Sequence, residues 1–224
     1  MKKFIALMLT WMALVGLAHA AGGGGAAWDK APNRLNDNAA LQNGAKLFAN
    51  YCLNCHSAGY MRYNRLTDIG LTPKQIQGNL NFITPKVGDL MKVTANPADS
   101  AQWFGAAPPD LSVIARSRAG AGGSGADYLY TFLRGFYRDP ARPTGWNNHA
   151  FVNTAMPNVL WQMQASMNQA DFDNSMGDLV AYLQWMGEPS QTTRKQVGVW
   201  VLLFLAGFVL IAWRLNAAYW RHIK

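Results

Sequence analysis

The pentapeptide Cys52-Leu53-Asn54-Cys55-His56 constrains this chain more than any other feature. C-x-x-C-H is the attachment sequence for a c-type haem. On a helix, positions i, i+3 and i+4 share a face. Two thiols at that spacing form thioethers to the haem vinyls while the imidazole of His56 reaches the iron. A haem held this way joins the covalent chain, and its apolar face becomes core. Two other readings of the pair are weaker. A thioredoxin-like dithiol follows a strand, whereas the pattern before Cys52 is helical. A structural zinc site needs a fourth ligand and usually more cysteines, and the chain has only these two.

Both ends of the chain point to a membrane. Lys2 and Lys3 precede an apolar run from Phe4 to Leu17, and Ala18-His19-Ala20 supplies a small-x-small pattern. This predicts a signal peptide over 1–20, cleaved after Ala20. Export fits the pentapeptide, because covalent haem attachment happens outside the cytoplasm. Near the other end, Val197 to Trp213 carries no charge. At about 1.5 Å per residue it is roughly 26 Å long, close to a hydrocarbon core of about 30 Å. Trp200 on one side, and Trp213, Tyr219 and Trp220 on the other, suit the two interfacial belts. The sequence therefore predicts a transmembrane anchor over 194–219 and a cytoplasmic tail over 220–224. With an export signal ahead of it, the intervening domain faces the periplasm of a bacterial-type inner membrane.

That domain is expected to be mainly α, with long loops. Gly-rich residues open a segment over 21–37 that reads as flexible, and the haem domain follows over 38–193. Leu41, Gly44/Ala45, Phe48 and Tyr51/Cys52 recur at helical spacing, with Asp37 or Asn38 as N-cap. A third helix is expected from Asp127, stopping near Gly135. A last soluble helix spans about Ala170 to Met186, with Phe172, Met176, Leu179/Val180, Leu183 and Met186 on its apolar face. Gly44 and Phe48, set against Leu179 and Tyr182, look like the crossed terminal helices of class I cytochromes c. No alternating strand pattern stands out. The long Gly-, Pro- and Asn-rich connections are unusual for a compact domain, and a large prosthetic group for them to wrap would explain them.

The iron needs a sixth ligand, and a methionine thioether is the usual partner of histidine in cytochromes c. Met1, Met8 and Met12 leave with the signal peptide. Met61 is too close in sequence to His56 to reach the opposite face. Met163, Met167, Met176 and Met186 recur at helical spacing and read as core. Met156 lies in the non-helical run Asn153-Thr154-Ala155-Met156-Pro157-Asn158, where proline stiffens the backbone. Met156 is the expected ligand, with His149 the alternative. Arg116 or Arg118 is available for a haem propionate, though a solvated charge is the default reading of either.

The ordered set C-x-x-C-H-S (52–57), Tyr60, Tyr63 with Arg65-Leu66, A-P-P-D-L-S (107–112), R-S-R (116–118), D-Y (127–128), A-M-P (155–157) and a terminal membrane helix resembles the cytochrome c1 family. The resemblance runs from about residue 28 to the C-terminus. It implies one haem c attached through Cys52 and Cys55, with His56 and Met156 on the iron. It also implies a propionate contact from Arg118, and positions near the haem for Pro109 and Tyr128. The implied function is a one-electron relay, from the Rieske iron–sulfur protein to a cytochrome c, beside cytochrome b in a dimeric bc1 complex (ubiquinol–cytochrome c reductase). No substrate bonds are made or broken by such a subunit. Two other classes stand beside this one. One is a different membrane-anchored c-type carrier serving an oxidase or dehydrogenase; the other is a thiol–disulfide enzyme. The chain departs from the family pattern at Ala119, where a Gly-rich run begins, and at Phe104, where an asparagine is common.

The net charge of +8 and a pI near 9.7 first suggest nucleic acid. The charges lie elsewhere. Lys2 and Lys3 sit in the leader, and Arg194, Lys195, Arg214, Arg221 and Lys224 flank the apolar run. Residues 21–193 carry 13 basic against 12 acidic side chains. The basic balance reflects export and anchoring, and no nucleic-acid partner is expected.

Overall fold

A computed structural model describes residues 27–221. The expected signal peptide, the Gly-rich opening and the last three residues lie outside the described residues. The chain divides into two compact units, Met1–Gly187 and Glu188–Lys224.

The first unit is built on two helices. Helix α1 (Asn38–Leu47) starts at Asp37, whose carboxylate accepts from the amides of Ala39 and Ala40 at 3.0 and 3.2 Å. Helix α7 (Gln169–Gly187) buries Phe172, Met176, Leu179, Val180, Leu183 and Met186, the face that its 3.6-residue pattern predicts. The two cross at Gly44. A β-carbon there would lie 2.2 Å from the Asp178 carbonyl oxygen and 2.6 Å from Tyr182 Cβ, so only glycine lets the backbones meet. One turn further on, the rings of Phe48 and Tyr182 pack with centroids 5.5 Å apart, both fully buried. The expected crossing of terminal helices is present.

Between α1 and α7 run short elements. Strand β1 (Ala58–Arg62) pairs antiparallel with β2 (Leu90–Met91). A 3₁₀ segment (Tyr63–Ile69) and α2 (Pro73–Asn79) lie between them, and α3 (Pro97–Phe104) follows. The short α4 (Ile114–Ser117) precedes α5 (Gly125–Arg134), whose first turn is held by a reciprocal Ser124–Asp127 capping box. Strands β3 (Phe136–Arg138) and β4 (Trp146–Asn148) form a hairpin in the register Phe136–Asn148, Tyr137–Asn147, Arg138–Trp146. After it come a loop, then α6 (Trp161–Ser166), then α7. These strands of two to five residues are too short to impose a visible alternation on the sequence.

Residues 27–37 differ from the expected flexible segment. Trp28 stacks edge-on against Tyr128 at 5.1 Å and covers Gly122, where a β-carbon would sit 2.7 Å from the indole. The Ala31 amide and the Lys30 ammonium both donate to Asp127 at 2.9 Å. Arg34 pairs with Asp178 on α7 and donates to Asn174. Every one of these partners is more than 90 residues away in sequence, so no local pattern announces them.

The second unit holds one long helix, α8 (Gln191–Tyr219), beginning three residues before the expected boundary. None of its residues is buried. It is long and apolar enough to cross a membrane. Glu188 pairs with Arg194 across its first turn.

Candidate functional site

The site begins where α1 ends. The helix continues into a π-helical turn over Phe48–Cys52, closed by the Leu53 amide on the Phe48 carbonyl at 3.0 Å. One residue is thereby inserted into the last turn, a device often found at functional sites. The pentapeptide then forms a single hydrogen-bonded turn. The Cys52 carbonyl accepts from both the Cys55 amide (3.1 Å) and the His56 amide (2.8 Å). Those i+3 and i+4 bonds keep the helix-like relation among the three side chains.

Cys52, Cys55 and His56 line one wall of a cavity of about 330 Å³. That size falls in the range of cofactor sites. Pro109, Arg118, Tyr128 and Met156 line it too, so all seven sequence-predicted site residues meet around one space. His149 is not among the lining residues; its ring stacks on Tyr137 at 4.4 Å. Arg116 does not line the cavity either.

The His56 ring is held from behind. His56 Nδ1 lies 2.7 Å from the Pro109 carbonyl oxygen, which leaves Nε2 available to a metal. The rigid Pro108-Pro109 pair presents that carbonyl. Asp110 then ties down the amides of Gly59 and Ser112, at 2.7 and 2.8 Å. Burial lowers the basicity of His56, with the Pro109 bond and the nearby Asp110 charge opposing it. Burial, and secondarily Cys55, pushes the Cys52 thiol up to about 12, so it stays protonated at neutral pH. Arg118 lies over the Tyr128 ring at 5.8 Å. Tyr128 belongs to an aromatic row along α5, stacked on Phe132 at 5.9 Å, with Phe136 edge-on beyond it at 5.1 Å.

The residues present fit a haem. Two thiols and an imidazole occupy one wall, a thioether belongs to the same lining, and most of the remaining surface is apolar. Among the described residues, only Arg118 brings a full charge into the cavity. An aqueous polar ligand would find few partners there, whereas an apolar macrocycle would be covered. Tyr51, Phe132, Phe151, Leu179 and Leu183 also line the cavity without having been expected there, as does Phe104, the position where the family commonly has asparagine. For Leu179 and Leu183 the signal was present but ambiguous: a residue facing the core and one facing a cofactor share the same helical period. Phe151, on a loop, carried no local signal.

Crossed terminal helices, a C-x-x-C-H turn and an apolar cavity between them define a class I c-type cytochrome fold. Residues 28–223 match the cytochrome c1 family. Among similar proteins, cytochrome c1 of Allochromatium vinosum is 35% identical over the whole of both chains. The ammonia monooxygenase gamma subunit of Nitrosomonas europaea is 42% identical, covering 87% of this chain and 88% of that one. The mitochondrial cytochrome c1 haem protein of Saccharomyces cerevisiae is 25% identical over 88% of this chain and 72% of its own. The chain belongs to the cytochrome c1 family, whose members are haem c proteins of respiratory electron transport.

Proposed function

We propose that this chain is the membrane-anchored haem subunit of a bc1 complex, relaying single electrons from a Rieske iron–sulfur protein to a cytochrome c. The observation that carries this reading is the convergence of two thiols, an imidazole and a thioether on one apolar cavity. In it, Cys52 and Cys55 would hold one haem c through thioethers, and His56 and Met156 would ligate its iron. Bound there, the haem supplies a one-electron ferric/ferrous couple. The protein's part is to set and protect that couple. The Pro109 carbonyl fixes the tautomer and orientation of the His56 ring. A thioether ligand from Met156 would raise the potential relative to a second histidine. Arg118 meets a propionate as a charge-assisted pair. Leu179, Leu183, Phe132 and Tyr128 keep water away from the macrocycle.

Residues 1–20 direct export and are removed, and α8 anchors the domain with its haem on the periplasmic side and the C-terminus in the cytoplasm. Cytochrome b and the Rieske protein are its membrane partners, in a dimeric complex. The name of the Nitrosomonas europaea relative supports a second reading, a c-type carrier in another membrane oxidation system.

Two measurements test this. Met156→Leu is expected to keep covalent haem by pyridine haemochrome, lose the weak far-red absorption of a ferric iron–thioether bond, lower the potential and stop ubiquinol–cytochrome c turnover. Full turnover in that variant would remove Met156 from the assignment. Purification from native membranes is expected to bring down cytochrome b and a Rieske protein. Recovery with an ammonia- or oxygen-reacting complex instead would favour the second reading.

A further inference from the structure

We infer that Arg142 and Asn147 are positioning residues for Met156, acting together as a clamp on Asn153. This rests on the reading of Met156 as the axial ligand.

The loop that carries Met156 is held in an unusual way. Its amides are taken by side-chain oxygens. Asn148 Oδ1 accepts from Ala150 (2.8 Å) and Phe151 (3.3 Å), Asn147 Oδ1 accepts from Asn153 (2.8 Å), and Thr154 Oγ1 accepts from Met156 (3.3 Å). The hairpin of β3 and β4 directly precedes this loop and supplies both asparagines, which are 4% and 0% exposed.

Asn153 is the pivot. Among the described residues it is the one non-glycine with positive φ, at 65°. Asparagine tolerates this region better than most side chains, but some support is still needed to hold it there. The support comes from two directions. Arg142 donates to the Asn153 side-chain oxygen at 3.2 Å and to its backbone carbonyl at 3.0 Å. Asn147 takes the Asn153 amide and anchors its own nitrogen on Asp139 at 2.8 Å. The amide, carbonyl and side chain of Asn153 are therefore all fixed.

Arg142 itself is placed for this task at some cost, because its Nε is buried without a hydrogen-bond partner. It sits in the turn between β3 and β4, where its amide donates to the Asp139 carbonyl and its carbonyl accepts from Gly145. Only Thr154 and Ala155 separate Asn153 from Met156, and Pro157 stiffens the far side. A change of backbone at Asn153 thus displaces the thioether with little slack to absorb it.

The clamp predicts that loosening Asn153 releases the sixth ligand without disturbing the thiol–imidazole wall. Arg142→Met and Asn147→Ala are made in the full-length, haem-loaded protein, with Met156→Leu in parallel. Both clamp variants are expected to keep covalent haem, to weaken the far-red ferric band, and to bind added imidazole about ten-fold more tightly than the wild type. Amide exchange in peptides covering 149–157 rises, while peptides of α1 stay as protected as before. A lowered melting temperature with unchanged far-red band and imidazole affinity overturns the inference, since it shows a purely structural role. Should Arg142→Met fail to accumulate, Asn153→Gly serves in its place. It keeps the left-handed backbone and removes one clamp bond, so imidazole affinity rises about three-fold; wild-type affinity overturns the proposal. The Met156→Leu control separates the two failures. If that variant keeps the far-red band, the ligand assignment falls and the inference with it. If it loses the band while the clamp variants match the wild type, the inference alone falls.

Discussion

The two sides of the cavity are built on different principles. The wall bearing Cys52, Cys55 and His56 is an extension of a packed helix, held by main-chain bonds from its own turn and pressed against α7. The Met156 loop is held by amide and guanidinium side chains reaching back from a hairpin. The first construction ties ligand geometry to the folding core, so damage there unfolds the domain. The second leaves the ligand loop separable from the core, so damage there alters the site before it alters the fold.

The largest effect is expected on the helical wall. Gly44→Val puts methyl groups into the α7 backbone, where a β-carbon alone would stand 2.2 Å from Asp178 O. A loss of about 3 kcal/mol or more is expected, at the upper end of overpacking, because neither backbone can move aside. Denaturant melts of the haem-loaded protein measure it, and a loss under 1 kcal/mol would mean that the crossing is looser than the geometry indicates.

On the other side, Asn148→Ala strips the partners of the Ala150 and Phe151 amides and of the Phe132 carbonyl. The expected cost is about 2 kcal/mol, and amide exchange should place the loss in 149–157. Equal deprotection of α1 would erase the contrast between the two sides.

A smaller, pH-dependent effect concerns residues 27–37. Burial of Asp127 works to raise its carboxyl, but bonds from Lys30, Ala31 and Ser124 outweigh it and hold the group down at about 2. Because the folded value is depressed, the stabilisation is present above the ordinary carboxylate value near 4 and fades as pH falls toward 2. Asp127→Asn is expected to lower stability by about 1–2 kcal/mol at pH 7. Melting curves of wild type and variant should converge between pH 4 and 2, and a gap that persists at pH 2 would assign the effect to packing. The smallest effect belongs to the exposed Arg65–Asp68 pair at 2.7 Å. Arg65→Ala should shift stability by no more than about 0.5 kcal/mol in the same melts.

Much of this molecule was legible from residue order. The helical period placed α1 and α7, and the likeness to class I cytochromes c pointed to a crossing at Gly44, Phe48 and Tyr182, where the helices meet. The spacing of the pentapeptide marked one wall, and the proline after Met156 marked a loop methionine against others at helical spacing. The hairpin was not legible, because three-residue strands show no alternation. The ordered course of 27–37 was hidden because Trp28, Lys30 and Arg34 find their partners on α5 and α7, far along the chain. The π turn was equally invisible, since one inserted residue leaves the apolar spacing nearly unchanged.

What the sequence determined by itself was therefore mostly what depends on short-range spacing: α1, α5 and α7, the thiol–imidazole turn and the long apolar run of α8, with the order of motifs along the chain adding the family resemblance. Only the tertiary structure decided which distant groups meet. It brought Pro109 behind His56, set Arg142 and Asn147 on Asn153, and closed residues 27–37 over Gly122. The reason is physical. Helical period and motif spacing are set by neighbours within one turn, whereas the hydrogen bonds that aim a ligand join residues whose separation in the chain says nothing about their separation in space.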